Sequence, residues 1–253
     1  MDNKPKVIIN ADDFGLNEHC SRAIAEAFNR GIVTDTTMMA TGEYFDGAVE
    51  LAKVNAFFGK IGIHFNLTEG VPLTEPILSE PRFVTNGRFN KQYDRNKKLT
   101  KSESEAIYAE LTAQVKRIKQ AKINITHADS HHHIHTGVFV APIISRICNE
   151  QGINKIRLHR NLGSISPLKR FFKKRFNEKL RKQGFRTTDY FAYPIDLGAE
   201  IPDNTEIMVH PDFDKDGVLI DRKGKDDNGI PKGKPLTDFK SEYDITLRGY
   251  KQL

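Results

Sequence analysis

Five of the nine histidines of this 253-residue chain fall between His127 and His135, in the segment THADSHHHIHT. That density is foreign to an ordinary core, because buried polar groups are costly unless something is made of them. If the segment is extended, side chains alternate with period two, so His127, Asp129, His131, His133 and His135 share one face. Such a face can present metal ligands or polar contacts to a substrate. Any one of these histidines, taken alone, could equally serve a backbone or carboxylate group.

A second cluster is NADDFG, in which Asp12 and Asp13 follow a short apolar run. Adjacent carboxylates repel unless a cation or a shared proton relieves them. One natural division makes one of them a metal ligand and the other a general base. The competing reading is a charge pair ahead of a helix that starts near Asn17. His64 in GIHFNLTEG and His210 in IMVHPD each end an apolar run. Singly they say little, but four strand ends bearing Asp, His, His and His would converge on one rim of a parallel barrel.

The chemistry of these groups is that of a divalent cation held by nitrogen and oxygen, which suits Zn²⁺ and does not exclude Mg²⁺. Cys20 and Cys148 stand apart within helical patterns, so neither a disulfide framework nor a thiolate site is indicated. GxSxG, P-loop and GxGxxG patterns do not occur. Metal-activated water is then the economical nucleophile.

The elements that must position these groups alternate. Strands are expected at Lys6–Ala11, Ile32–Ala40, Lys60–Leu67, Ile123–Asp129, Lys155–Leu158 and Glu206–Val209, and helices at Asn17–Arg30, Phe45–Val54, Ser102–Lys122 and Val138–Gln151. Ser102 and Glu105 form a capping box in this reading. Alternation implies a parallel sheet, open or closed into a barrel, within a single domain over 1–253. Between 68 and 101 the periodicity lapses, as in a loop or lid over the site, and the Gly- and charge-rich stretch 214–253 predicts mobile loops.

The net charge of +6 is concentrated: Leu168 to Arg186 holds nine Lys/Arg and one Glu, a balance of +8 that leaves −2 for the rest. Leu168, Phe172, Phe176 and Leu180 recur every four residues there, which predicts an amphipathic helix resting on a core, its basic face in solvent. Charged residues make up 28% and no apolar run approaches the roughly 18 residues of a membrane span, so the chain reads as soluble and cytoplasmic, without a membrane or nucleic-acid partner. A homodimer is compatible with the sequence.

NADDFG, GIVTDTTMMA, GIHFNLTEG and THADSHHHIH, in this order, resemble the YdjC-like family of carbohydrate deacetylases, which includes chitooligosaccharide deacetylases. The likeness covers residues 6–160 and reappears at EIMVHPD. The resemblance implies a distorted (β/α) barrel of the polysaccharide deacetylase type, a divalent cation (Mg²⁺ or Zn²⁺), and hydrolysis of an N-acetyl group from an amino sugar such as diacetylchitobiose. It places the ligands at Asp13, His64 and His131, the base at Asp12 and the acid at His210. Asp129 and His133 would orient the ligands. Asp212 stands where the family often has Gly, and the chain departs from the pattern after Asp214. A metal-dependent amidase or phosphoesterase and a polyanion binder using Lys169 to Arg186 are the rival readings.

Overall fold

Eight successive residues of the first strand, β1 (Lys6–Phe14), are buried, every one after Lys6. A strand covered on both faces is the mark of a parallel sheet sheathed in helices. The computed structural model describes residues 4–91, 93, 97–224 and 233–253. After β1 come α1 (Glu18–Asn29), β2 (Asp35–Met38), α2 (Phe45–Val54), β3 (Ile61–Phe65), α3 (Glu75–Leu78), β4 (Val84–Thr85), β5 (Arg88–Phe89) and α4 (Lys101–Gln120). The second half holds β6 (Ala128–Ser130), α5 (Ala141–Gln151), α6 (Pro167–Lys182), β7 (Tyr190–Ala192), β8 (Thr205–Val209), β9 (Pro211–Phe213), β10 (Leu219–Asp221), β11 (Lys234–Pro235), α7 (Phe239–Glu242) and β12 (Thr246–Leu247).

Six parallel strands run in the order β6-β3-β2-β1-β8-β7 and curl into an incomplete barrel, with β12 paired to the start of β1. The expected strand at Lys155–Leu158 is reduced to single parallel bridges, Ala128 with Ile156 and Lys155 with Arg186. The expected α/β barrel is therefore present, distorted on the side between β6 and β7. β1, β2 and β3 are joined through α1 and α2, and β3 reaches β6 through α4, as parallel pairing demands, whereas only a 3-10 turn at Pro194–Asp196 lies between β7 and β8.

Several local expectations shift. The capping box of α4 is Thr100 with Glu103, two residues before the expected Ser102 and Glu105. Thr100 is extended (φ −72°, ψ 171°) and its hydroxyl accepts from the Glu103 N–H at 3.1 Å, whereas Ser102 already lies inside the helix and donates to Glu80. The stretch 68–101 is not structureless: it carries α3 and the β4–β5 hairpin, buries Ile77, Phe83 and Phe89, and is tied to α4 by Glu110, which accepts from the Leu73 N–H and the Thr74 hydroxyl, both at 2.9 Å. Likewise 214–253 contributes β10 and β11, which form an antiparallel sheet with β9, and buries Leu219, Phe239 and Tyr250. Positions 92, 94–96 and 225–232 of these two stretches lie outside the described residues.

The basic helix α6 packs by its second half only. Leu180 is buried, Phe176 partly so, and the Asn177 amide clamps the His159 backbone, while Leu168 and Phe172 are 68% and 62% exposed. Geometry explains the correction: each step of four residues advances the side chain about 40° beyond a full turn, so a strict four-residue stripe winds off a flat core within three steps. Among the described residues no helix is long and apolar enough to cross a membrane.

Candidate metal centre and catalytic cleft

Adjacent residues of a strand point to opposite faces, so Asp12 and Asp13 could not both enter one site from regular β structure. β1 solves this with a bulge: Ala11 pairs with Thr36 and Phe14 with Met38, leaving two residues of β1 opposite Thr37 alone. Asp13 takes a left-handed conformation, φ 72°, which only a few non-glycine residues tolerate and Asp tolerates better than most. Both carboxylates are consequently buried side by side.

Asp13 lies against two imidazoles. Its Oδ1 is 2.7 Å from His131 Nδ1 and 3.1 Å from His64 Nε2, and ligand atoms of the three residues all lie within 4.8 Å of one another. His64 is the penultimate residue of β3, and His131 directly follows β6, so strand pairing brings them to the bulge. Each imidazole turns its other nitrogen to a carboxylate: His64 Nδ1 to Asp129 Oδ1 at 2.6 Å, and His131 Nε2 to Glu69 Oε2 at 3.0 Å. Paired carboxylates of this kind fix the tautomer and orientation of metal-binding histidines.

The electrostatics favour a cation here. Burial raises Asp13, but hydrogen bonds from His131 and His64 outweigh it and hold the carboxyl well below the usual range. Burial depresses His64, yet Asp129, Asp13 and Asp12 overcome that and push it up to about 10. Arg222 also reaches Asp13 Oδ2. A proton on His64 and the Arg222 guanidinium thus supply positive charge that a divalent ion could supply instead. One carboxylate and two imidazoles, each already oriented, fit such an ion.

Asp12 also approaches His64, ligand atoms of Asp12, His64 and Asp129 lying within 4.8 Å of one another, but its direct partner is an arginine. Arg157, fully buried, grips it bidentately at 2.7 Å and 2.7 Å, and also touches Asp129 Oδ2 at 2.7 Å and Glu206 Oε1 at 2.8 Å. Burial alone would raise Asp12, but the guanidinium lowers it far below the ordinary carboxylate value. Asn10 Nδ2 donates to Asp12 Oδ1 at 2.8 Å.

The expected shared face of the histidine segment holds only as far as His131. His127, Asp129 and His131 all point inward, but His132 and His133 are left-handed (φ 49° and 55°) and the strand gives way to a 3-10 turn at His131–Thr136. His133 bonds the Tyr193 hydroxyl at 2.8 Å rather than any candidate ligand, and His135 bonds Ser130 Oγ at 2.5 Å. Two consecutive left-handed residues end the alternation, so His133 and His135 leave the ligand face.

His210 follows β8 and is buried beside a cavity of about 730 Å³ that is also lined by Arg160, Tyr193, Asp221 and Lys223. Burial and the nearby Lys223 push its pKa down to about 3, so it is neutral at rest. Its Nδ1 has no hydrogen-bond partner among the described residues, while its backbone N–H reaches Asp221 Oδ1 at 3.3 Å.

Arg157, Glu69, Glu206 and Arg222 escape the sequence reading. Only Arg157 leaves a trace there, as a charge inside the apolar strand-like run KIRLH. Glu69 and Arg222 sit in loops, where a charged residue is unremarkable.

The family model described as "YdjC-like protein" matches residues 6–247. The chain belongs to the YdjC-like family. Among its relatives, a carbohydrate deacetylase of Brevibacillus brevis is 33% identical over 226 residues, 85% of this chain and 84% of that one. A carbohydrate deacetylase of Vibrio campbellii is 32% identical, covering 87% and 82%. Carbohydrate deacetylase 1 of Listeria innocua is 37% identical over 165 residues, 65% of each chain, so that match spans just under two thirds of the relative. This YdjC-like chain also shares its fold with a crystal structure from Enterococcus faecalis V583 described as a cellobiose-phosphate cleavage protein: TM-score 0.73, 23% identity, 99% of both chains covered.

Proposed function

We propose that the protein is a metal-dependent hydrolase that removes an N-acetyl group from an amino sugar or short chitooligosaccharide such as diacetylchitobiose. The observation that carries this reading is the convergence of Asp13, His64 and His131, each imidazole backed by a carboxylate. The carbohydrate deacetylases among its relatives favour deacetylation over the amidase and phosphoesterase alternatives.

In this reading Asp13, His64 and His131 hold a divalent cation, Mg²⁺ or Zn²⁺. When bound, the ion supplies a Lewis acid that polarises the acetamide carbonyl and acidifies water. Asp12 then accepts the proton of the attacking water. Arg157 keeps Asp12 ionised and aimed, at the expense of basicity, so Asp12 needs a water made acidic by its surroundings.

His210 serves the leaving group. Being neutral at rest, it must first take up a proton within the site before donating one to the departing sugar amine. The cavity that His210 lines, with Arg160 stacked on the Tyr193 ring at 5.0 Å in its wall, is the space in which a sugar would lie.

Acetate release from diacetylchitobiose, with and without chelator, tests reaction and metal together. The expected result is release abolished by chelator and restored by added divalent ion. Asp12→Asn should retain metal by elemental analysis yet lose about 10²- to 10⁴-fold in rate; a variant retaining most of its rate would remove Asp12 from the role of base.

A further inference from the structure

Opposite the cleft, the barrel is closed by a turn that the family match does not reach. Tyr250 lies beyond residues 6–247, is fully buried, and stands on the short 3-10 turn Tyr250–Gln252. Its backbone N–H donates to Asp35, at the start of β2, and its carbonyl accepts from Lys155 Nζ at 2.5 Å. Glu206, near the start of β8, accepts the Tyr250 hydroxyl at 2.5 Å. Asp13, His131 and His210 lie at or beyond the other ends of these parallel strands.

Two arms run inward from this one side chain. Through the hydroxyl, Tyr250 fixes Glu206, whose other oxygen accepts from Arg157 Nε at 2.8 Å, and Arg157 grips Asp12 with both remaining nitrogens. Through the ring, Tyr250 stacks on His127, centroids 3.6 Å apart and planes within 9°. His127 Nε2 meets Asn10 Oδ1 at 3.1 Å, and Asn10 donates to Asp12. Since the Asn10 amide nitrogen is spent on Asp12, its oxygen must accept; His127 therefore carries its proton on Nε2, and Nδ1 accepts from the Thr126 hydroxyl at 2.8 Å. A Cβ at Gly62 would stand 2.6 Å from His127 Cε1, so only glycine leaves room for the ring.

We propose that Tyr250 is a positioning residue for Asp12, acting through Glu206 and Arg157 on one arm and through His127 and Asn10 on the other. The proposal rests on Asp12 being the base. Removing the hydroxyl leaves Glu206 Oε2 without its donor, frees the carboxylate to turn, and loosens the Nε contact that orients the Arg157 plane. A misplacement of about 1 Å at a reacting group can cost up to about 10²-fold in rate.

The test uses the metal-loaded full chain. Tyr250→Phe is expected to lower kcat for acetate release from diacetylchitobiose about tenfold, with KM changed less than about twofold and metal content unchanged. In an Asp12→Asn background the same substitution should lower the residual rate no further. Glu206→Gln, which keeps the shape and both neighbours, should reproduce the loss and carries the test if Tyr250→Phe reduces the folded yield. A substrate-free readout is the NMR resonance of the Arg157 Nε–H, expected to shift in both variants. Wild-type kcat, an effect on KM alone, an equal loss in both backgrounds, or an unmoved Arg157 resonance would each overturn the proposal. Full activity in Asp12→Asn alone overturns instead the role of Asp12 beneath it.

Discussion

Arg157→Met removes the guanidinium buried among Asp12, Asp129 and Glu206 and puts an apolar side chain of similar length in its place. Four contacts of 2.7 to 2.8 Å are lost. Breaking a buried ion pair by deleting one partner costs about 3–5 kcal/mol, because the other charge is left in a medium that does not solvate it. The three acids do not contribute equally. Glu206 is pushed up to about 7 by burial even with Arg157 and Tyr250 pulling it down, so it is already part-protonated near neutrality. Asp12, which Arg157 holds far below its usual value, carries most of the loss.

In a chain of this length 1 kcal/mol corresponds to about 2–4 °C, so the melting temperature should fall by roughly 6–20 °C at pH 7.5. The pH dependence has a definite sign. In the parent chain Asp12 is depressed in the folded state, so its contribution is present above the unfolded value near 3.8 and is lost only as pH falls through the lower folded value. In the variant the unpaired carboxyl is raised instead, and the penalty grows as pH climbs from about 4 toward the raised value. The gap between the two proteins should therefore narrow as pH falls from 7.5 to 4.5. Calorimetry at both pH values checks this; a difference under 2 °C at pH 7.5, or one that does not change with pH, would refute the role given to Arg157.

The cation site should be linked to protons. His64, pushed up to about 10 against its burial by Asp129, Asp13 and Asp12, must lose its proton to ligate, so apparent metal affinity should rise about tenfold per pH unit between pH 6.5 and 8.5 in titration calorimetry; a pH-independent affinity would count against His64 as a ligand. Glu69→Gln, which removes the carboxylate behind His131, should weaken metal binding about 10- to 100-fold without changing the fold by circular dichroism. Equal affinity in that variant would leave Glu69 as a loop contact.

The sequence made the strand ends legible because a strand that must be buried on both faces writes itself as an apolar run, and Asp13, His64 and His131 stand where such runs stop. It did not reveal the bulge, since nothing in ADDF distinguishes a regular strand from one that turns Asp13 left-handed. Nor could it show that His133 leaves the ligand face, because alternation is a property of the backbone and the backbone changes at His132. Arg157, Glu206 and Tyr250 lie far apart in sequence and meet only across the barrel. Pairings of that range leave no local pattern. The four-residue stripe of α6 misled for the opposite reason: the pattern is real, but the core it was assigned to reaches only Phe176 and Leu180.

In the proposed reading, the place of both an arginine and a cation follows from the charges. Asp12, Asp13, Asp129 and Glu206 are buried together, giving −4 if all are ionised, though burial keeps part of Glu206 protonated; Arg157, Arg222 and the proton held on His64 return +3. A divalent ion carries +2, which matches the two positive charges at Asp13 that it would replace, the His64 proton and Arg222. Arg157 cannot be that ion's substitute, because its fork is committed to Asp12, Asp129 and Glu206. Arg222 can, since it touches Asp13, the carboxylate that the two imidazoles share. In the proposed reading the bulge separates two tasks that adjacent carboxylates would otherwise confuse: Asp12, neutralised by an arginine, would be kept for proton transfer, and Asp13 would be left to an exchangeable charge. In the proposed enzyme Arg222 gives way when the metal binds, which makes Arg222→Ala a variant expected to bind metal at least as tightly as the parent chain; weaker binding would mean that the guanidinium supports the ion rather than standing in for it.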